Sequence, residues 1–264
     1  MAQANCWGDE TDYDYEAIVA DLTRYLRIKA TPIGLKRYAT VAEMEAIPRL
    51  RRPDPAEKMA FDQIVGQSRW NGWTLGITFE NLTGTQCGAP LGLVPRDGEF
   101  LSGNRFNGVW YGTLEDSAAH QAAMDCASHG AYEAVAVSPL TSGRLGNPDV
   151  CLLYMTPGQM IIFMNGLQYV DYKKYSFTVV GESACADSWG RALKTGEPSM
   201  SLPCYAERRF GGVLDDELLI ALPPSYLPKT IEGLKSLHKN GLRYPIPNHG
   251  IEKSPVASLA RSYG

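Results

Sequence analysis

Trp73-Thr74-Leu75-Gly76-Ile77-Thr78-Phe79-Glu80-Asn81-Leu82-Thr83-Gly84-Thr85-Gln86-Cys87-Gly88-Ala89-Pro90-Leu91-Gly92-Leu93 is the stretch on which the fold turns. An apolar, β-branched run leads into a Gly/Thr/Asn-rich turn, then a cysteine, then a helix start, which is the order of a strand–site–helix unit. A second stretch, Tyr175-Ser176-Phe177-Thr178-Val179-Val180-Gly181-Glu182-Ser183-Ala184-Cys185-Ala186-Asp187-Ser188-Trp189-Gly190, carries the same expected order. The two cysteine turns are expected to build one functional site.

Working outward, Ile18, Val19, Leu22, Tyr25 and Leu26 recur at helical spacing and predict an amphipathic helix over 15–28, stopped at Thr31-Pro32. Alternation predicts a strand over 33–38, and Thr40 with Glu43 has capping-box spacing for a short helix. The 48–55 segment, with Arg49, Arg51 and Arg52, is an exposed basic loop, and Asp54-Pro55-Ala56-Glu57 is expected to open a helix running to about 67. Residues 95–108 form a Gly/Asn/Arg-rich surface loop or lid. A helix follows over 114–129, with Gly130 as its C-cap, then strands over 132–137 and 150–154. Thr156-Pro157 starts a helix through 163. Further strands are expected over 175–180, 198–204 and 215–222, and a last helix over 226–237.

This order gives an α/β fold with mixed sheets. Residues 1–14 are a polar segment, 15–243 a domain of one or two lobes (15–140 and 141–243), and 244–264 a Pro/Asn/Ser-rich tail that leaves a homo-oligomer open. The strands at 33–38 and 150–154, each with a following helix and then a cysteine turn, suggest a tandem duplication with Cys87 and Cys185 facing one cleft.

Composition narrows the function classes. With 264 residues, 44% hydrophobic and 20% charged, the chain can bury a core. A net charge of -4 and pI near 5.6, without a basic stripe, speak against nucleic acid as partner. No apolar run reaches the roughly 18–20 residues of a membrane span, and the acidic first residues lack the pattern of a secretory signal, so a cytoplasmic location is expected. The six cysteines (Cys6, Cys87, Cys126, Cys151, Cys185, Cys204) contain no CxxC and do not read as a disulfide framework.

The chain resembles the DUF169 family, also catalogued as ArCR, over roughly residues 20–240. The matching stretches are Thr31-Pro32-Ile33-Gly34-Leu35-Lys36, Cys87 through Leu93, Ser138-Pro139-Leu140, Asn147-Pro148-Asp149-Val150 with Pro157-Gly158-Gln159-Met160, and Pro198 through Cys204 with Arg208-Arg209-Phe210. Their order, more than any one of them, carries the resemblance. It implies kinship without a settled activity. Where relatives tend to have a Gly-Asp-Arg turn, this chain has Ala206-Glu207-Arg208, which leaves a role for that acidic position in doubt.

At a helix start, free N–H groups and the helix dipole favour thiolate, so Cys87 and Cys185 are expected to have lowered pKa values. Cys87, Cys185 and Cys204 are the expected ligands of an iron–sulfur cluster or other metal. Cys87 and Arg208 are the expected catalytic residues. Asn81, Thr83, Thr85, Gln86, Trp73 and Arg209 are expected to receive a small aromatic or carboxylated substrate. His120, Cys126 and His129 share a predicted helix, but their phases make a poor three-ligand site. GxSxG, GxxxxGK[ST] and GxGxxG are absent, so no nucleotide-cofactor motif or hydrolase elbow is present. Two readings stand: an enzyme or cofactor protein built on a cysteine-held metal, and a metal-free pocket that binds a small ligand or works through a thiol or carboxylate.

Overall fold

The structure, a computed structural model, describes residues 12–54 and 56–247. Cys6, His249, Pro55 and most of the expected tail lie outside the described residues.

Six strands form the frame: β1 (Ile33–Tyr38), β2 (Leu75–Thr78), β3 (Ala134–Pro139), β4 (Val150–Met155), β5 (Ser199–Ser201) and β6 (Leu218–Leu222). They make one sheet in the order β2-β3-β1-β4-β6-β5, antiparallel at every neighbouring pair. The helices are α1 (Tyr15–Leu26), α2 (Val41–Glu45), α3 (Phe61–Asn71), α4 (Thr85–Leu91), α5 (Leu114–Ala123), α6 (Pro157–Tyr169), α7 (Arg191–Thr195), α8 (Tyr205–Gly211) and α9 (Tyr226–Lys239). This is the α/β class expected from the sequence.

Helices cover both faces of the sheet, which is why its central strands are apolar at nearly every position rather than at every other one. On β4, Val150, Leu152 and Tyr154 point into the core shared with Phe61, Ile64 and Val65 of α3 and with Trp189. The alternate residues Cys151, Leu153 and Met155 point into the core built by α1, α6 and α9. Each fully buried Leu, Ile or Val contributes roughly 1.5–3 kcal/mol. Arg69 on α3 is buried in an ion pair with Glu217 and lies over the Tyr154 ring at 4.1 Å.

Helix starts follow their caps. Thr40 accepts from Glu43 N–H at 3.2 Å to open α2, and Thr156 accepts from Gln159 N–H at 3.4 Å to open α6. Several boundaries depart from the sequence reading. α3 begins at Phe61 rather than near Asp54, because Met59 is held in a bridge to Leu82 and Ala60 N–H is capped by Gln63 Oε1 at 2.9 Å. α5 ends at Ala123, so Cys126 and His129 are not on the helix that carries His120. Within the basic loop, Arg51 bridges to β2 and packs on the Trp73 ring at 4.0 Å, while Arg52 pairs with Glu45.

Residues 175–180 form no strand. Thr178 Oγ1 and Val180 N–H instead donate to the Asp187 carboxylate at 2.9 and 2.7 Å, and Val179 stays exposed. The expected correspondence between the two cysteine stretches therefore fails at its strand. Outward from the β1–β4 pair the sheet reads β1, β3, β2 on one side and β4, β6, β5 on the other. That order alone establishes no duplication. Residues on either side of position 140 share one continuous sheet.

Candidate functional site

A cavity of about 110 Å³ opens between the N-terminal ends of α3 and α8, the turn into α4, and the turn at 182–185. Cys87, Cys185 and Cys204 all line it. Each arrives on a different element. Cys87 is in the first turn of α4, Cys185 immediately precedes a turn of π-helix (Ala186–Gly190), and Cys204 is the residue before α8. The π turn is closed by Gly190 N–H donating to the Cys185 carbonyl at 3.0 Å. A side chain at Gly190 would meet the Asp125 carbonyl at 2.5 Å, so only glycine permits this packing.

Cys87 is half-buried, whereas Cys185 and Cys204 are buried, so Cys87 is the thiol nearest to solvent. The Cys185 thiol donates to the Ser183 carbonyl at 3.5 Å. It is held well above the ordinary thiol range, first by its hydrogen bond with the Cys87 side chain and then by burial. Burial, followed by the charge of Glu207, likewise pushes the Cys204 thiol up. At Cys185 the lowered pKa expected from a helix start is therefore reversed: the neighbouring Cys87 side chain and burial outweigh the few N–H groups of a distorted turn.

Two buried carboxyls complete this side of the cavity. Asp62 lines it, and burial is the main cause lifting its pKa to about 7. Glu207 stands behind Cys204. Its Oε2 accepts from Cys204 N–H at 2.8 Å, its Oε1 has no partner, and burial, then Asp62, lifts it to about 8. Phe61, Leu82, Phe106 and Phe210 give the cavity its apolar walls. At the rim, the Glu182 carboxylate accepts from Tyr205 N–H at 3.3 Å, and its carbonyl is 2.6 Å from His120 Nε2.

Of the residues expected to receive substrate, Gln86 and Thr83 line the cavity with Cys87. The others are engaged elsewhere. Asn81 is buried and donates through Nδ2 to the Asp54 carbonyl at 3.4 Å, Trp73 packs under Arg51, and Thr85 is not among the lining residues. Arg208 donates through Nε to the Pro203 carbonyl at 3.1 Å and reaches Asp215 at 3.9 Å, so it holds the ends of α8 rather than the cavity. Arg209 donates to the Tyr205 hydroxyl at 2.8 Å and lies against the Phe210 ring. The basic side chain that does line the cavity is Arg105, from the 95–108 loop.

Asp62 and Arg105 escaped the sequence reading, which left the role of Glu207 in doubt. Asp62 looks like an ordinary first-turn acid, and Arg105 like one of several arginines in a loop. Glu207 did carry a signal, its position three residues after Cys204, which is capping-box spacing.

Among the described residues no group of three or more His, Cys, Asp or Glu side chains is arranged to hold a metal ion. The three thiols share a cavity without converging on a point, so the iron–sulfur or metal expectation has the right donor chemistry but not a preformed centre. Cys126, packed with Ala89 and Met124, and Cys151, inside β4, belong to the core.

No curated protein and no solved structure matches the chain. Residues 21–233 match the family described as uncharacterised ArCR, and the chain belongs to that family, DUF169.

Proposed function

We propose that the cavity is a small-molecule site and that the chain is a cytoplasmic, thiol-dependent enzyme or binding protein. Cys87 is its reacting thiol, Cys185 its partner, and the buried carboxyl of Asp62, its pKa lifted to about 7, a proton donor beside them. The observation that carries this reading is the meeting of three cysteines, from three separate elements, in one aromatic-walled cavity with a buried carboxyl. Packing alone would scatter cysteines through the core, as it does Cys126 and Cys151. Size limits the ligand: a cavity of about 150 Å³ holds benzene, so the occupant is of that order or smaller, an aromatic or carboxylated molecule of a few heavy atoms.

The same convergence of thiols favours a second reading, in which a soft metal or cluster draws Cys87, Cys185 and Cys204 together on binding. One preparation separates the two. Anaerobically purified protein is analysed for iron and zinc, and its cysteines are mapped after brief treatment with N-ethylmaleimide. The thiol reading expects no equimolar metal and labelling of Cys87 ahead of Cys126, Cys151, Cys185 and Cys204. Equimolar metal that disappears in a folded Cys87→Ser variant moves the assignment to the metal reading. An inert Cys87 in metal-free protein contradicts both.

A further inference from the structure

Arg105 stands at the mouth of the cavity without a counter-charge. Its guanidinium lies over Gly84, where an added Cβ would come within 2.8 Å of Nη1, and it is 5.9 Å from the centre of the Phe106 ring. Among the described residues it has no ion-pair or hydrogen-bond partner, and it is the one basic side chain lining the cavity. Its neighbour Phe106 is buried, edge-on to His120 at 5.2 Å, which fixes the backbone that presents Arg105 although the side chain itself is exposed. Deeper in, Gln86 is 7% exposed, and its Oε1 is buried with no donor, although the residue lines the same cavity. A buried acceptor without a donor is costly to keep, so its retention beside a cavity calls for a ligand that supplies the proton.

We propose that the ligand is a small carboxylate: its anionic group sits on Arg105, a hydroxyl or amino group beside it donates to Gln86 Oε1, and its carbon faces Cys87. This deepens the thiol reading above and rests on it. Two acids line the same cavity, and neither occupies Arg105. Glu182 is turned to Tyr205 N–H and Asp62 lies buried beside Phe61, so an incoming anion meets a guanidinium that neither acid has engaged.

Iodoacetate and iodoacetamide make the test, since they differ only in carboxylate against amide. In either reaction the Cys87 sulfur bonds to the reagent's methylene carbon, the C–I bond breaks, iodide leaves and the thiol proton passes to solvent. The rate ratio of iodoacetate to iodoacetamide at Cys87, read by peptide mapping, is compared with the ratio at glutathione. The proposal expects the ratio at Cys87 to be about tenfold higher, to fall to the glutathione value in Arg105→Gln, and to fall in part in Arg105→Lys, which keeps charge but loses the bidentate fork. Gly84→Ala, which displaces the guanidinium, lowers it as well. A ratio equal to that of glutathione, or one that survives Arg105→Gln in a folded variant, overturns the carboxylate assignment and leaves the reactive thiol standing. Inertness of Cys87 to both reagents overturns the thiol reading and this inference together.

Discussion

Asp62 and Glu207 are almost completely buried, yet among the described residues neither has a cationic partner that offsets the cost of ionising there. Their folded pKa values lie above the unfolded ones. The stability they contribute is therefore fully present below about pH 4 and is lost as pH rises through about 7 for Asp62 and about 8 for Glu207. Glu207→Gln keeps the shape and an acceptor for Cys204 N–H while removing the ionisation. The unfolding free energy of the native chain, from urea titrations, is expected to drop between pH 5.5 and 8.5 by at least about 1 kcal/mol more than that of the variant. Equal pH dependence in the two would mean that Glu207 is charged in the folded state. At this scale the sequence was only half legible. Cys87, Gln86, Cys185 and Cys204 announce themselves through turn chemistry and residue type. Arg208 and Arg209 looked equally qualified, and only their contacts with Pro203, Asp215 and Tyr205 show that they serve α8.

Elements place these residues, and glycine sets the closest approach. A Cβ on Gly66 of α3 would meet the Gly211 carbonyl of α8 at 2.6 Å, and one on Gly211 would meet the Asp62 carbonyl at 2.9 Å. That contact holds Asp62 and Cys204 on one cavity. Gly66→Ala must push the helices apart, at a cost of about 1–3 kcal/mol in a urea titration, and is expected to slow alkylation of Cys87 by iodoacetate or raise that of the buried Cys204 as the cavity deforms. Wild-type stability together with wild-type labelling would show that the two helices are not locked. Helices with a clear cap and a periodic face, such as α1 and α6, were readable in the chain. The 175–180 strand was not real, because Asp187 takes the Thr178 hydroxyl and the Val180 N–H as its donors and holds the segment out of the sheet. The end of α5 was misread because nothing in residues 124–129 breaks a helix as plainly as Gly130.

At the scale of the whole molecule, one antiparallel sheet carries helices on both faces, and the cavity draws residues from both sides of position 140, from Ala60 to Phe106 and from Glu182 to Phe210. No helix of the described residues is long and apolar enough to cross a membrane. The class of fold was legible because helical and strand periodicities alternate along the chain. The sheet's order was not, since it depends on which strands meet: β5 and β2, far apart in sequence, both end as edges, and the segments that follow them carry Cys204 and Cys87. The central claim is that Cys87 and Cys185 face one another in an accessible cavity. Phenylarsine oxide tests it directly, because its arsenic bonds two neighbouring thiols at once, with loss of one water. The native chain is expected to gain one phenylarsenic group by intact mass, and Cys87→Ser and Cys185→Ser to gain none while Cys126→Ser behaves as wild type. Failure of the folded native chain to take up the reagent, or undiminished uptake by Cys87→Ser, would contradict the account.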